Sequence, residues 1–242
     1  MSGGFACFGR RLSVARELSE RGVFVAASCL GIEGRDESLD YASRLRELED
    51  RVRRTLASRV GSSEFLKDDP IVRAYRSFFW SLGIDPTKIR PAGEALARRL
   101  LRGESLPTIN RLVDAGNLAS SETLVPIGIY DVDKLLPGEL SLEYSKGGEV
   151  FAPIGGERRV LERGVPVLKS GGVLVVHVYP YRDSRETCVD DDTKRAVVIG
   201  AGVAGVPASL VSKAVELVHQ YALELGLKLS IAREVSLIGG AS

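Results

Sequence analysis

Apolar and polar positions divide the chain into an early part with helical spacing and a later part with strand spacing. "GVFVAASCL", from Gly22 to Leu30, is an apolar run bounded by glycines, which predicts a buried strand. "ESLDYASRLRELEDRVRRTLASRV" then sets Leu39, Ala42, Leu45, Leu48, Val52 and Leu56 at helical intervals. Charges fill the other positions, with Glu47 and Arg51 an i,i+4 pair, so a surface helix is expected. "IVRAYRSFFWSLGI", preceded by Asp68-Asp69-Pro70 and stopped at Gly83, predicts a second helix. "DPTKIRPAGEALARRLLRGE" predicts a turn and a third, with Pro91 near its first position. "PTINRLVDAGNLASSETL" predicts a fourth that ends or breaks near Gly116.

From Val125 onward the period shortens. "VPIGIYDVDKL", "LSLEYSKGGEVFAPIGG", "RRVLERG" and "GGVLVVHVYPYR" are short strands separated by Gly and Pro. "RAVVIG" adds a strand, Ala208 to Leu225 a helix, and "KLSIAREVSLI" a last strand. Helices first and strands mostly later imply an α+β fold, N-terminal helices packed on a mainly antiparallel sheet. The 242 residues are read as one domain, 1–242, with no internal repeat or low-complexity linker.

Composition narrows the function classes. The net charge is +1, so any nucleic-acid contact must come from a local basic face. Cys7, Cys29 and Cys188 are an odd number at wide spacing, which argues against a disulfide framework and against structural zinc. No metal site and no cofactor is expected. The N-terminus lacks a basic-then-apolar leader, and the longest weakly apolar run, Ala196 to Val211, is interrupted by Gly and Pro. A cytoplasmic protein without membrane contact is the expectation. Arg outnumbers Lys 25 to 8, with one Gln and two Asn, a bias that fits a thermophilic source or a GC-rich genome.

Gly200, Gly202 and Gly205 spell G-x-G-x-x-G between an apolar run and a helical pattern. A dinucleotide fold places that turn in its first βαβ unit and follows it with several parallel strands. Here the remaining residues suffice for one helix and one strand, and Glu234 lies beyond the ~20-residue spacing expected of a ribose-binding acid. A glycine-rich strand-to-helix connection, with no dinucleotide, is therefore expected.

Two segments are richer in chemistry. In "INRLVDAGNLASSETLVPIGIYDVDKL", Asn110, Asp114 and Asn117 fall on one helical face, near Glu122 and the Tyr130-Asp131 strand. The same residues also suit an N-cap at Asn110, a solvated Asp114 and a left-handed end near Gly116-Asn117. "YPYRDSRETCVDDDT" gathers Arg, Asp, Ser, Glu and Thr at the end of an apolar strand, or forms an ordinary polar loop.

These segments, within "AYRSFFWSLGIDPTKIRPAGEALARRLLRGESLPTINRLVDAGNLASSETLVPIGIYDVDKL" and "GGEVFAPIGGERRVLERGVPVLKSGGVLVVHVYPYRDSRETCVDDDTKRAVVIG", resemble the tRNA-editing domain of the phenylalanyl-tRNA synthetase β subunit. That module is formed by the third and fourth B domains, and the chain is most similar to its freestanding relatives. The similarity runs from about Ala74 to Gly200. It implies an α+β module that binds the aminoacylated 3′ end of a tRNA and hydrolyses the ester of a wrongly attached amino acid. Asn117 matches an asparagine of the editing pocket. The family's histidine before "A-F-D" falls on Gly128 in "PIGIYD", and neither His177 nor His219 lies in the matching motif.

The roles that follow are expectations. Asn117, Asp183 and Ser184 are candidate catalytic positions: Asn117 and Ser184, with Asn110, to orient water or the ester, and Asp183 as one of the acids to hold the substrate ammonium. Asn110, Asp114, Glu122, Gly128, Tyr130, Tyr181, Arg182 and Thr187 are candidate substrate-binding positions, the acids for the substrate ammonium and Arg182 for a phosphate or the oxyanion. Arg98, Arg99 and Arg102 are candidate RNA contacts. The resulting expectation is a deacylase acting in trans on mischarged tRNA; the alternative is a non-catalytic module that binds tRNA or an amino acid.

Overall fold

The structure, a computed structural model, describes residues 5–232 and 234–240. Arg233, inside the expected last strand, lies outside the described residues. The strands are β1 (Ala6–Cys7), β2 (Arg10–Val14), β3 (Phe24–Arg35), β4 (Ile127–Asp131), β5 (Glu139–Tyr144), β6 (Val150–Phe151), β7 (Arg159–Val160), β8 (Pro166–Ser170), β9 (Leu174–Val178), β10 (Arg182–Asp183), β11 (Arg195–Gly202), β12 (Leu227–Ala232) and β13 (Ser236–Gly239). The helices are α1 (Arg16–Ser19), α2 (Tyr41–Val60), α3 (Pro70–Ser81), α4 (Ala92–Leu101), α5 (Arg111–Thr123) and α6 (Ala208–Glu224).

Two sheets carry the site. One has the order β1-β2-β5-β8-β9-β10; the other runs β12-β3-β11-β4, with β13 on the same edge of β3 as β12. Pairing is antiparallel throughout except between β2 and β5. The architecture is α+β. Among the described residues no helix is long and apolar enough to cross a membrane.

Burial explains why β3 and β11 read as continuous apolar runs. Phe24 to Gly31 is buried almost throughout, as is Ala196 to Gly202. Helices cover one face of this sheet and the second sheet covers the other. A Cβ at Gly200 would come within 3.0 Å of Val215 on α6, whereas Ile199 and Ala201 point away from it, into a cleft between the sheets. Neither face meets water, so no polar alternation is left to read.

That packing also accounts for the three-glycine sequence. Gly200 lets α6 approach β11, and a Cβ at Gly202 would strike the Phe24 ring. Gly205 supplies the turn with φ +87°. β11 is antiparallel to both neighbours, so the strand-turn-helix is not the parallel βαβ unit of a dinucleotide fold.

Four expectations change, the first being that "KLSIAREVSLI" forms two strands, β12 and β13, along one edge of β3 and not one last strand. α5 does not end near Gly116 but continues to Thr123, with Leu124 taking the left-handed conformation at φ 66°. Gly116 is there because a side chain would press on Ile129 of β4, its Cβ 2.8 Å from Cδ1. "RRVLERG" contributes only the two-residue β7, paired with β6. Cys7 and Cys29 are joined in a single disulfide between β1 and β3, Cα atoms 5.6 Å apart, a pairing that wide spacing and an odd count conceal.

Candidate active site

A tight hairpin builds the centre of the site. β9 and β10 flank the cis Tyr179–Pro180 bond, and their register sets Asp183 opposite His177. Directly paired residues on antiparallel strands bring their side chains together. Accordingly His177 Nδ1 lies 2.7 Å from Asp183 Oδ1. From the other sheet, the Tyr130 hydroxyl donates to the same carboxylate oxygen at 2.8 Å. Tyr179 locks the hairpin in place: its hydroxyl lies 2.7 Å from the Gly202 carbonyl and 2.9 Å from that of Phe24.

Electrostatics fix the protons. Burial, followed by the neighbouring Asp183 charge, raises the Tyr130 pKa well above that of a free phenol, so Tyr130 stays protonated and donates. Asp183 accepts, which puts a proton on His177 Nδ1 and leaves Nε2 with a lone pair when the ring is neutral. Nε2 has no protein partner among the described residues. The three groups border a cleft between the sheets with about 50 Å³ of free space, walled by Val25, Leu142, Leu168 and Ile199. At ~10–15 Å³ per water, that space holds a few waters or a small side chain.

Gly128 sits on the cleft wall directly against this cluster. A Cβ there would overlap the Tyr130 hydroxyl, so the glycine gives Tyr130 the room to reach Asp183. Tyr181 lines the cleft mouth, edge-on to Phe79 at 6.2 Å. The Arg182 guanidinium lies 5.1 Å from the Tyr181 ring centre and donates to the Ile154 carbonyl at 3.3 Å.

The remaining candidates lie apart from the cleft or are engaged in local structure. Asn110 is the N-cap of α5, its side chain accepting from the N–H groups of Leu112 and Val113 at 3.1 and 2.9 Å. Replacing Asn110 by alanine is expected to lower stability by about 1 kcal/mol, read from the urea unfolding midpoint. Asp114 is buried rather than solvated. It accepts from the Tyr41 hydroxyl on α2 and from the Ile109 N–H at 3.0 Å, and burial raises its pKa. Asn117 is half-buried on the same helix and is not among the residues lining the cleft. Glu122 accepts from the Tyr221 hydroxyl on α6.

Ser184 is fully buried and its Oγ accepts from the Glu186 N–H at 3.2 Å, within the turn that follows β10. Thr187 is also fully buried; its carbonyl accepts from the Asp131 N–H at 3.0 Å, and its hydroxyl has no partner among the described residues. On α4, Arg98 and Arg99 are engaged with acids. Glu94, 1% exposed, accepts from Arg76 at 2.5 and 2.8 Å and from Arg98 at 3.4 Å. Arg99 pairs with Glu104 at 3.5 Å, and Arg102 is exposed.

The pairing of His177 with Asp183 was not among the expected contacts. The signal was present in "HVYPYRD": a His and an Asp placed symmetrically about a Tyr-Pro turn are cross-strand partners. Among the described residues no group of three His, Cys, Asp or Glu side chains is arranged to hold a metal.

Comparison with known proteins places the fold in context. No curated protein matches the chain. A solved structure of an N-terminal fragment of the phenylalanyl-tRNA synthetase β subunit from Pyrococcus horikoshii is similar at 17% identity and a TM-score of 0.47. That match covers 90% of this chain and 49% of the other, so the chain spans about half the length of that fragment. The sequence profile of the B3/4 domain matches residues 74–222, which include the cleft-lining strands β4, β9, β10 and β11. The chain belongs to the B3/4 domain family.

Proposed function

We propose that the chain hydrolyses the ester linking an amino acid to the 3′ end of a mischarged tRNA. The observation that carries this reading is the His177–Asp183 pair at the edge of the apolar cleft, with Nε2 unpartnered. Membership of the B3/4 family, and the resemblance to the synthetase editing module, supply the substrate class.

The chemistry follows from the proton positions. Asp183 orients the imidazole, and Nε2 takes a proton from a water as it attacks the ester carbonyl. Collapse of the tetrahedral intermediate breaks the bond to the ribose oxygen, and His177 returns the proton to that oxygen. The products are a free amino acid and a tRNA with its terminal hydroxyl restored. An aminoacyl ester beside an α-ammonium is already activated, so positioning of water carries much of the remaining barrier. The narrow apolar walls suit a small, uncharged amino-acid side chain.

The test is the rate of ester loss from a panel of mischarged tRNAs with small and large acyl groups. Loss above buffer, fastest for the small apolar ones, supports the proposal. No loss on any member refutes it, and RNA binding without turnover would instead identify a binding module.

A further inference from the structure

A second concave surface meets the cleft at Tyr181. It is a groove of about 570 Å³ between the end of α3, β5 and the loop around β7 and β8. Tyr181 is common to the walls of this groove and of the cleft, so the two lie on either side of that side chain.

The walls of the groove combine positive charge with aromatic and apolar surface. Arg21, Arg159 and Arg163 line it, all exposed, and none forms a salt bridge with a carboxylate among the described residues. Arg21 instead donates to the Tyr144 hydroxyl at 2.7 Å, and Arg159 lies over the Phe151 ring at 5.7 Å. Arg182, stacked on Tyr181 at the junction, also lacks a carboxylate partner. The single acid in the wall is Glu162. Val160, 65% exposed, and Ile89, 38% exposed, add apolar surface beside the arginines.

Just over half of the described arginines pair with a carboxylate. On α2 and α4, Arg44, Arg51, Arg53, Arg98 and Arg99 each pair with an acid. Guanidinium groups without such partners, interleaved with rings, match the chemistry of a nucleic-acid single strand: phosphates on the cations and bases on the aromatic faces. A duplex would present only its outer phosphates and could not offer bases to Tyr144 or Tyr181.

We propose that this groove seats the unpaired nucleotides immediately preceding the esterified 3′ end, with Arg21, Arg159 and Arg163 on their phosphates. Tyr181 marks the point where the strand passes from groove to cleft. This inference rests on the ester-hydrolase reading for its direction, and on the uncommitted arginines for the RNA itself.

The experiment measures binding of a fluorescein-labelled RNA hexamer ending in CCA-3′ by polarisation across a salt series. The wild type is compared with Arg159→Ala/Arg163→Ala and with Arg99→Ala/Arg102→Ala on α4, and thermal melts verify folding of each. The groove variant is expected to bind at least tenfold more weakly. Its log–log salt dependence should be shallower by about 1.4, corresponding to two lost single-strand phosphate contacts. The α4 variant should lose less. Equal affinity and slope in the groove variant, a larger loss in the α4 variant, or no RNA binding by the wild type would each overturn the proposal.

The deacylation panel separates the two ideas. If the wild type cleaves no ester yet the groove variant loses RNA, the RNA site stands and the hydrolase reading falls. If esters are cleaved while RNA binding ignores the groove variant, the groove alone falls.

Discussion

Replacing His177 by alanine is expected to slow ester hydrolysis about 10²–10⁴-fold, the range typical for removal of a positioned general base. The loss should appear in kcat far more than in KM, because the role proposed for Nε2 is to take a proton from water and not to hold the acyl group. The side chain is small and 9% exposed, so a folding check accompanies the assay. Asp183→Asn gives the sharper comparison. It preserves the shape of the side chain while replacing the carboxylate that accepts from both His177 and Tyr130. The asparagine oxygen can still accept from Nδ1 and from Tyr130, but the negative charge that stabilises the imidazolium formed when Nε2 takes a proton is gone. Both substitutions should therefore lower the rate. A wild-type rate in His177→Ala would remove His177 from the chemistry altogether.

The second large effect concerns Gly128. Its alanine variant is expected to lose on the order of 3 kcal/mol of stability, from overpacking (~1–3 kcal/mol) and from displacing a buried hydroxyl from its acceptor (~1–3 kcal/mol). The new Cβ would overlap the Tyr130 hydroxyl, and Tyr130 is 1% exposed with Asp183 holding its tip. Backbone conformation is not the obstacle, since Gly128 is absent from the positive-φ glycines. The urea midpoint reads the loss. In the double variant Gly128→Ala/Tyr130→Leu, which removes the far end of the ring, the cost should be less than the sum of the two single costs. An additive result would show that the two sites do not touch. The resemblance aligns a family histidine with this position; here the space is used by Tyr130, and His177 of β9 lines the same cleft from the facing sheet.

Local patterning was enough wherever one face of an element decides its type. Leu45, Leu48, Val52 and Leu56 are buried on α2 as their spacing requires, and Asp69 caps α3 just before Pro70. Asn110 likewise performs the capping its residue type favours. Gly116 was different. Read locally it ends a helix, but its actual constraint is contact with Ile129, thirteen positions along the chain and on another element. Gly202 is similar, fixed by the Phe24 ring of the neighbouring strand.

What the sequence determined by itself is therefore the α+β order of elements, the helix caps and the motifs that mark the B3/4 family. These depend on residues within a few positions of one another, where periodicity and turn chemistry act directly. Tertiary structure alone decided that Tyr130 and Asp183, fifty-three residues apart, share a hydrogen bond, and that Asp114 turns to Tyr41 on α2. It also decided which arginines pair with an acid and which do not. Pairings of that kind arise from how the two sheets and the helices stack, and no local period encodes the partner across the stack.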